Sequence, residues 1–77
     1  RVINVPGDVS SLRGAVQLAP AGAEIRVAAG TWKGDLEITK PLTIVGEEET
    51  VIEGLVEIHN THDVILQNLI LPAGIKA

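Results

Sequence analysis

Two imidazoles and a carboxylate lie within the five residues His59-Asn60-Thr61-His62-Asp63, the densest run of metal-ligating side chains in the chain. His-x-x-His-Asp would hold zinc or copper if both rings turned to one side, because neutral imidazole nitrogen ligates either ion. The simpler explanation is a tight turn at Asn60-Thr61 that leaves both rings in solvent, since Asn adopts turn conformations without an ion. Glu37 and Glu57 are the second candidates. They hold the same place in Leu36-Glu37-Ile38 and Val56-Glu57-Ile58. Stacking those segments would bring the carboxylates to about 5 Å, near the spacing of a retaining glycosidase. Stacked strands bring every same-face pair that close. With neither a cleft nor a sugar-binding floor in view, a weak cation site is a better match than catalysis.

The remaining candidates read as structure. Glu47-Glu48-Glu49 is a solvated turn, since a calcium loop wants spaced ligands and backbone carbonyls. Trp32, after Gly30-Thr31, packs over a strand end as part of the core rather than stacking on a sugar. Ser10 and Ser11 belong to a helix start, and no His-Asp pair is placed to activate either hydroxyl. No catalytic, cofactor-binding or metal-binding residue is therefore expected, and the protein is expected not to be an enzyme.

The elements that must carry these side chains are constrained by composition. Seventy-seven residues make one small domain, and no cysteine is present to staple it. The core has to come from Val, Ile, Leu and Ala, because Trp32 is the only aromatic residue and methionine is absent. A narrow, repetitive interior lined by stacked aliphatic side chains suits that inventory better than an ordinary globular centre. Six basic against ten acidic residues, a net charge of −4, argue against a nucleic-acid partner. No apolar run reaches the roughly 20 residues that span a bilayer. The chain opens at Arg1 rather than methionine and is expected to be a processed, truncated or engineered segment.

Residues 9–19 read as a helix that caps one end of the domain. Val9, Leu12, Val16 and Ala19 form one apolar stripe, with Leu18 off it. Asp8 or Ser10 supplies the N-cap, and Pro20 with Gly22 ends the helix. Residues 24–71 read as short strands. Period-two alternation marks Glu24–Val27, Leu36–Ile38, Leu42–Ile44 and Val56–Ile58, and Thr50–Glu53 and Val64–Leu71 complete the set. Gly30, Gly34, Gly46, Gly54, Asn60 and Asn68 fall at the breaks, where positive φ is often required.

A weak internal repeat connects these strands. A shift of 20 residues places Leu36-Glu37-Ile38 on Val56-Glu57-Ile58, and a shift of 22 places Leu42-Thr43-Ile44 on Val64-Ile65-Leu66, with Gly46 on Asn68. A shift of 25 places Val27 on Ile52. Units stacked in this way form a parallel sheet with neighbours about 4.8 Å apart. Antiparallel hairpins would need Asn-Gly or Asp-Gly turns, and neither dipeptide occurs. A βαβ sheet would need crossover helices, and the one helix precedes the strands.

LRGAVQLAPAGAEIRVAAGTWKG followed by LEITKPLTIVGEE resembles the opening of right-handed parallel β-helix proteins of the pectin lyase-like superfamily, and TVIEGLVEIHNTHDVILQNLILPAG is similar to a following coil. The resemblance covers residues 9–71 and implies fold more than activity. It implies an extracellular or periplasmic setting and carbohydrate as a ligand class. In lyases of this group, calcium-binding aspartates and the basic catalytic residue lie in later coils, and no matching pair of aspartates follows Asn68 here.

The expected architecture is therefore an all-β, short right-handed parallel β-helix of two to three coils, residues 1–77, with an N-terminal capping α-helix. Its last coil is strongly apolar. If Val64, Leu66, Leu69 and Leu71 point inward, Ile65 and Ile70 point outward. Leu66, Leu69, Ile70, Leu71 and Ile65 are the expected contact surface of a homo-oligomer, most simply a dimer joined end to end. The expected function is a non-catalytic, self-associating structural module, natural or designed. The alternative is the N-terminal fragment of a carbohydrate-active, polysaccharide lyase-like enzyme whose catalytic coils lie elsewhere.

Overall fold

A computed structural model describes residues 1–77. Nine elements follow in chain order: β1 (Val2–Val5), α1 (Leu12–Leu18), β2 (Ala23–Val27), β3 (Gly30–Trp32), β4 (Leu36–Ile38), β5 (Leu42–Ile52), β6 (Val56–Ile58), β7 (Ile65–Ile70) and β8 (Ile75–Lys76). Every strand pair is parallel. The chain is a β-solenoid of about four turns, one or two more than expected. The additional turn begins at β1, ahead of the expected strands; its four residues alternate, with Ile3 and Val5 buried and Val2 and Asn4 exposed.

Three stacks of strands make the walls. The first runs β1, β2, the first half of β5, and the first half of β7. The second runs β3 and the second halves of β5 and β7. The third runs β4, β6 and β8. Side chains that point inward from one stack form columns, because a parallel register repeats the same face on every rung. Ile3, Ile25, Ile44 and Leu66 make one such column, and Leu36, Val56 and Ile75 another. Each fully buried isoleucine contributes about 1.5–3 kcal/mol through removal from water.

The offsets of 20 and 22 residues hold. Leu36-Glu37-Ile38 pairs with Val56-Glu57-Ile58, and Thr43-Ile44 pairs with Ile65-Leu66. The offset of 25 does not. Val27 pairs with Gly46, and Ile52 pairs with Trp32. The reason is that Val27 belongs to the first stack and Ile52 to the second, on opposite sides of a corner whose length also changes by one residue. Ala28-Ala29 turn it in the second coil, whereas Glu47-Glu48-Glu49 occupy it in the third, so a single offset cannot fit both sides. The three glutamates are thus an exposed corner within β5 rather than a separate turn, and Glu49 takes φ 62° there. In the fourth coil, Asn68 alone, at φ 55°, stands between the rungs that Gln67 and Leu69 make with Val45 and Thr50.

Gly46 and Gly54 are not positive-φ turn residues, contrary to expectation. They are glycine because backbone passes close by. A Cβ on Gly46 would lie 2.5 Å from the Asn68 carbonyl and 2.8 Å from Leu69 Cδ2. A Cβ on Gly54 would collide with the Gly34 carbonyl on the coil beneath. The adjoining turns are tied together where the Leu55 N–H donates to Asp35 Oδ1 at 2.8 Å.

The helix is shorter than residues 9–19. Asp8 does not cap it, because it lies three residues before the N-cap position; its carboxylate instead accepts from the Asn4 backbone N–H at 2.9 Å and from Asn4 Nδ2 at 3.2 Å. Ser11, not Ser10, is the N-cap, its Oγ accepting from the Gly14 N–H at 3.0 Å. Ala19 leaves helical geometry at φ −64°, ψ 132°, as the residue before a proline should. Leu12, Ala15, Val16 and Ala19 are buried, and Leu18 is exposed. This face packs on β1, β2 and β4, closing the N-terminal end of the solenoid.

Candidate functional site

Period-two geometry sends Glu37 of β4 and Glu57 of β6 to the outer face of the third stack, between inward residues on either side. The register places them directly opposite each other. A parallel ladder holds such neighbours about 4.8 Å apart, and like charges so placed repel. Lys76 of β8 occupies the next rung beyond Glu57. The expectation of stacked, outward carboxylates is met.

His59 completes this group. It lies two residues after Glu57, so the same period turns its ring to the same face, and its backbone N–H is held by the Ile38 carbonyl of the coil beneath at 2.9 Å. His59 Nε2 lies 3.4 Å from Glu57 Oε2 and 3.8 Å from Glu37 Oε2. One ligand atom from each of the three side chains falls within 4.8 Å of the others. The side chains are 42% (His59), 30% (Glu57) and 67% (Glu37) exposed, so solvent ions reach the group while Glu57 is partly shielded.

The sequence pointed elsewhere for ligands. His62 pairs with its neighbour Asp63, Nδ1 to Oδ2 at 2.9 Å, and both side chains are more than three-quarters exposed. Asn60 and Asp63 both take positive φ, at 51° and 59°, which breaks the strand and separates His62 from the outer face of β6. His59 thus belongs with the two glutamates rather than with His62. The signal was present as the i, i+2 spacing of Glu57 and His59 in a strand.

Beside the carboxylates, an open cleft of about 500 Å³ lies between α1 and the third stack, lined among others by Arg13, Gln17, Asp35, Glu37, Lys40 and Glu57. Lys40 Nζ donates to the Gln17 carbonyl at 3.2 Å, bridging the strands to the last turn of the helix. Trp32 is half-buried against the core, its Nε1–H donating to the Ala28 carbonyl at 3.0 Å. The one buried polar residue is Thr50, whose hydroxyl donates to the Glu47 carbonyl at 2.8 Å and closes the corner of β5.

At the other end of the molecule, Leu66, Leu69 and Leu71 point inward but remain half-buried, while Ile65 and Ile70 are exposed on the outer surface. The outer edge of β7 and that of β8 make no strand pairing. No family model, curated protein or solved structure matches this chain.

Proposed function

We propose that this chain is a non-catalytic structural solenoid module that associates with a second copy of itself through residues 64–76. The observation that carries this reading is the one-sided coil. β7 and β8 pair with the third turn and offer their other edges unpaired. Backbone groups and apolar cross-section left in that state are a template for further stacking. Ile65 and Ile70 on the outer surface, and Ile75 at the uncovered end of an inward column, are each about half exposed and add apolar surface around the rim. Two copies related by a two-fold axis would meet with antiparallel strands at the junction, a self-complementary arrangement.

Sedimentation equilibrium over a range of micromolar loading concentrations tests this. A mass rising toward twice 8.1 kDa is expected, with Leu69→Glu or Leu71→Glu abolishing the rise and Glu48→Gln leaving it intact. A clean monomer at every concentration overturns it.

The same free edge supports a second reading, in which further coils follow in a longer chain resembling the carbohydrate-active pectin lyase-like proteins. A helix closing only the N-terminal end of the solenoid favours it. A parent reading frame with paired aspartates in later coils would support this reading. Turnover of polygalacturonate or alginate by the isolated chain would overturn the non-catalytic assignment.

A further inference from the structure

We propose that Glu37, Glu57 and His59 form a binding site for a divalent transition-metal ion, of which zinc is the representative. Bonds of 2.0–2.2 Å to oxygen and nitrogen in a tetrahedral shell place neighbouring ligand atoms about 3.3–3.6 Å apart. His59 Nε2 already stands 3.4 Å from Glu57 Oε2 and 3.8 Å from Glu37 Oε2. The third edge, between the two carboxylates, is bounded at 4.8 Å, so Glu37, the most exposed of the three, must swing inward by up to about an ångström to close the shell. The strands that carry these groups are fixed by the coil register and by the backbone bond from His59 to Ile38, so the three side chains start from neighbouring, fixed backbone positions. The like-charge repulsion of the stacked carboxylates is relieved when a dication lies between them.

One imidazole and two carboxylates select zinc and its neighbours over calcium, which prefers six or more oxygens. The open side faces solvent and the polar cleft beneath α1, which leaves the remaining coordination position to water. The site stands on the outer face of the third stack and does not depend on the association of chains through residues 64–76.

Calorimetric titration of the intact chain with zinc chloride, in buffer free of chelating anions, tests the assignment. One zinc per chain is expected, with calcium giving little heat. His59→Ala and Glu57→Gln should each weaken zinc binding more than about tenfold, and His62→Ala should not change it. A readout without substitution accompanies this: zinc should shift the ring resonances of His59 in the wild-type spectrum and leave those of His62 in place. Absence of zinc binding, retention of binding in His59→Ala, equal binding of calcium, or a shift at His62 instead would each overturn the site.

Discussion

The inward column Ile3, Ile25, Ile44 and Leu66 runs the length of the solenoid, and its two end members live in different surroundings. Ile3 is 3% exposed although β1 is an edge strand, because α1 lies over that end and contributes Leu12, Ala15 and Val16 to the core. Leu66 holds the equivalent place at the opposite end and is only half-buried. No residue after Val56 is fully buried. A strand's position on the rung decides which way its side chains point; what covers the rung decides how much their burial stabilises. Repeat architectures need both conditions met at each end.

Substitutions along that column are the most direct way to break the comparison. Ile44→Ala should cost about 4 kcal/mol, since the surrounding coils leave no room to collapse into the cavity. Leu66→Ala should cost about 1 kcal/mol in dilute solution, where much of the side chain stays wet in either state. Urea unfolding of both variants measures the difference, and equal losses would mean the last coil is as well packed as the third. If chains associate through residues 64–76, the cost at Leu66 should grow with protein concentration, as mass action requires.

Gly46→Ala should cost about 2 kcal/mol by overpacking, because the added methyl meets the Asn68 carbonyl and Leu69 on the last coil as well as the buried Thr50 Cβ of its own strand. Its unfolding curve would also sharpen the comparison. A loss well below that figure would show that both the last coil and the corner at Thr50 give way easily. Ser11→Ala acts at the closed end. Losing the bond to the Gly14 N–H should cost about 1 kcal/mol, lowering the thermal midpoint by about 4–8 °C for a domain of this size. A negligible shift would mean that packing of the helix face alone keeps that end shut.

The solenoid was legible because period-two alternation in Leu36–Ile38 and Val56–Ile58 survives a shift of 20 residues, and because no hairpin dipeptide competes. The offset of 25 fails because it matches residues of two different stacks. Val27 precedes the corner and Ile52 follows it, so Val27 pairs with Gly46 and Ile52 with Trp32, and both flanking ladders stay intact. The group at Glu37, Glu57 and His59 was half visible. The carboxylates were paired correctly, but contiguity in sequence drew His59 toward His62 and Asp63, when strand geometry turned it toward Glu57. The inward and outward assignments for Leu66, Leu69, Leu71, Ile65 and Ile70 matched their burial. How many turns lay beneath them did not, because the four residues of β1 carry too short a pattern to register alone.

The corner between the first and second stacks is turned by Ala28-Ala29, then by Glu47-Glu48-Glu49, then by Asn68, with the ladders on both sides preserved. Length at this position is therefore decoupled from the architecture. A longer segment grafted in place of the three glutamates would project from the wall as a display loop, and the tube behind it would carry the graft with its own geometry unchanged.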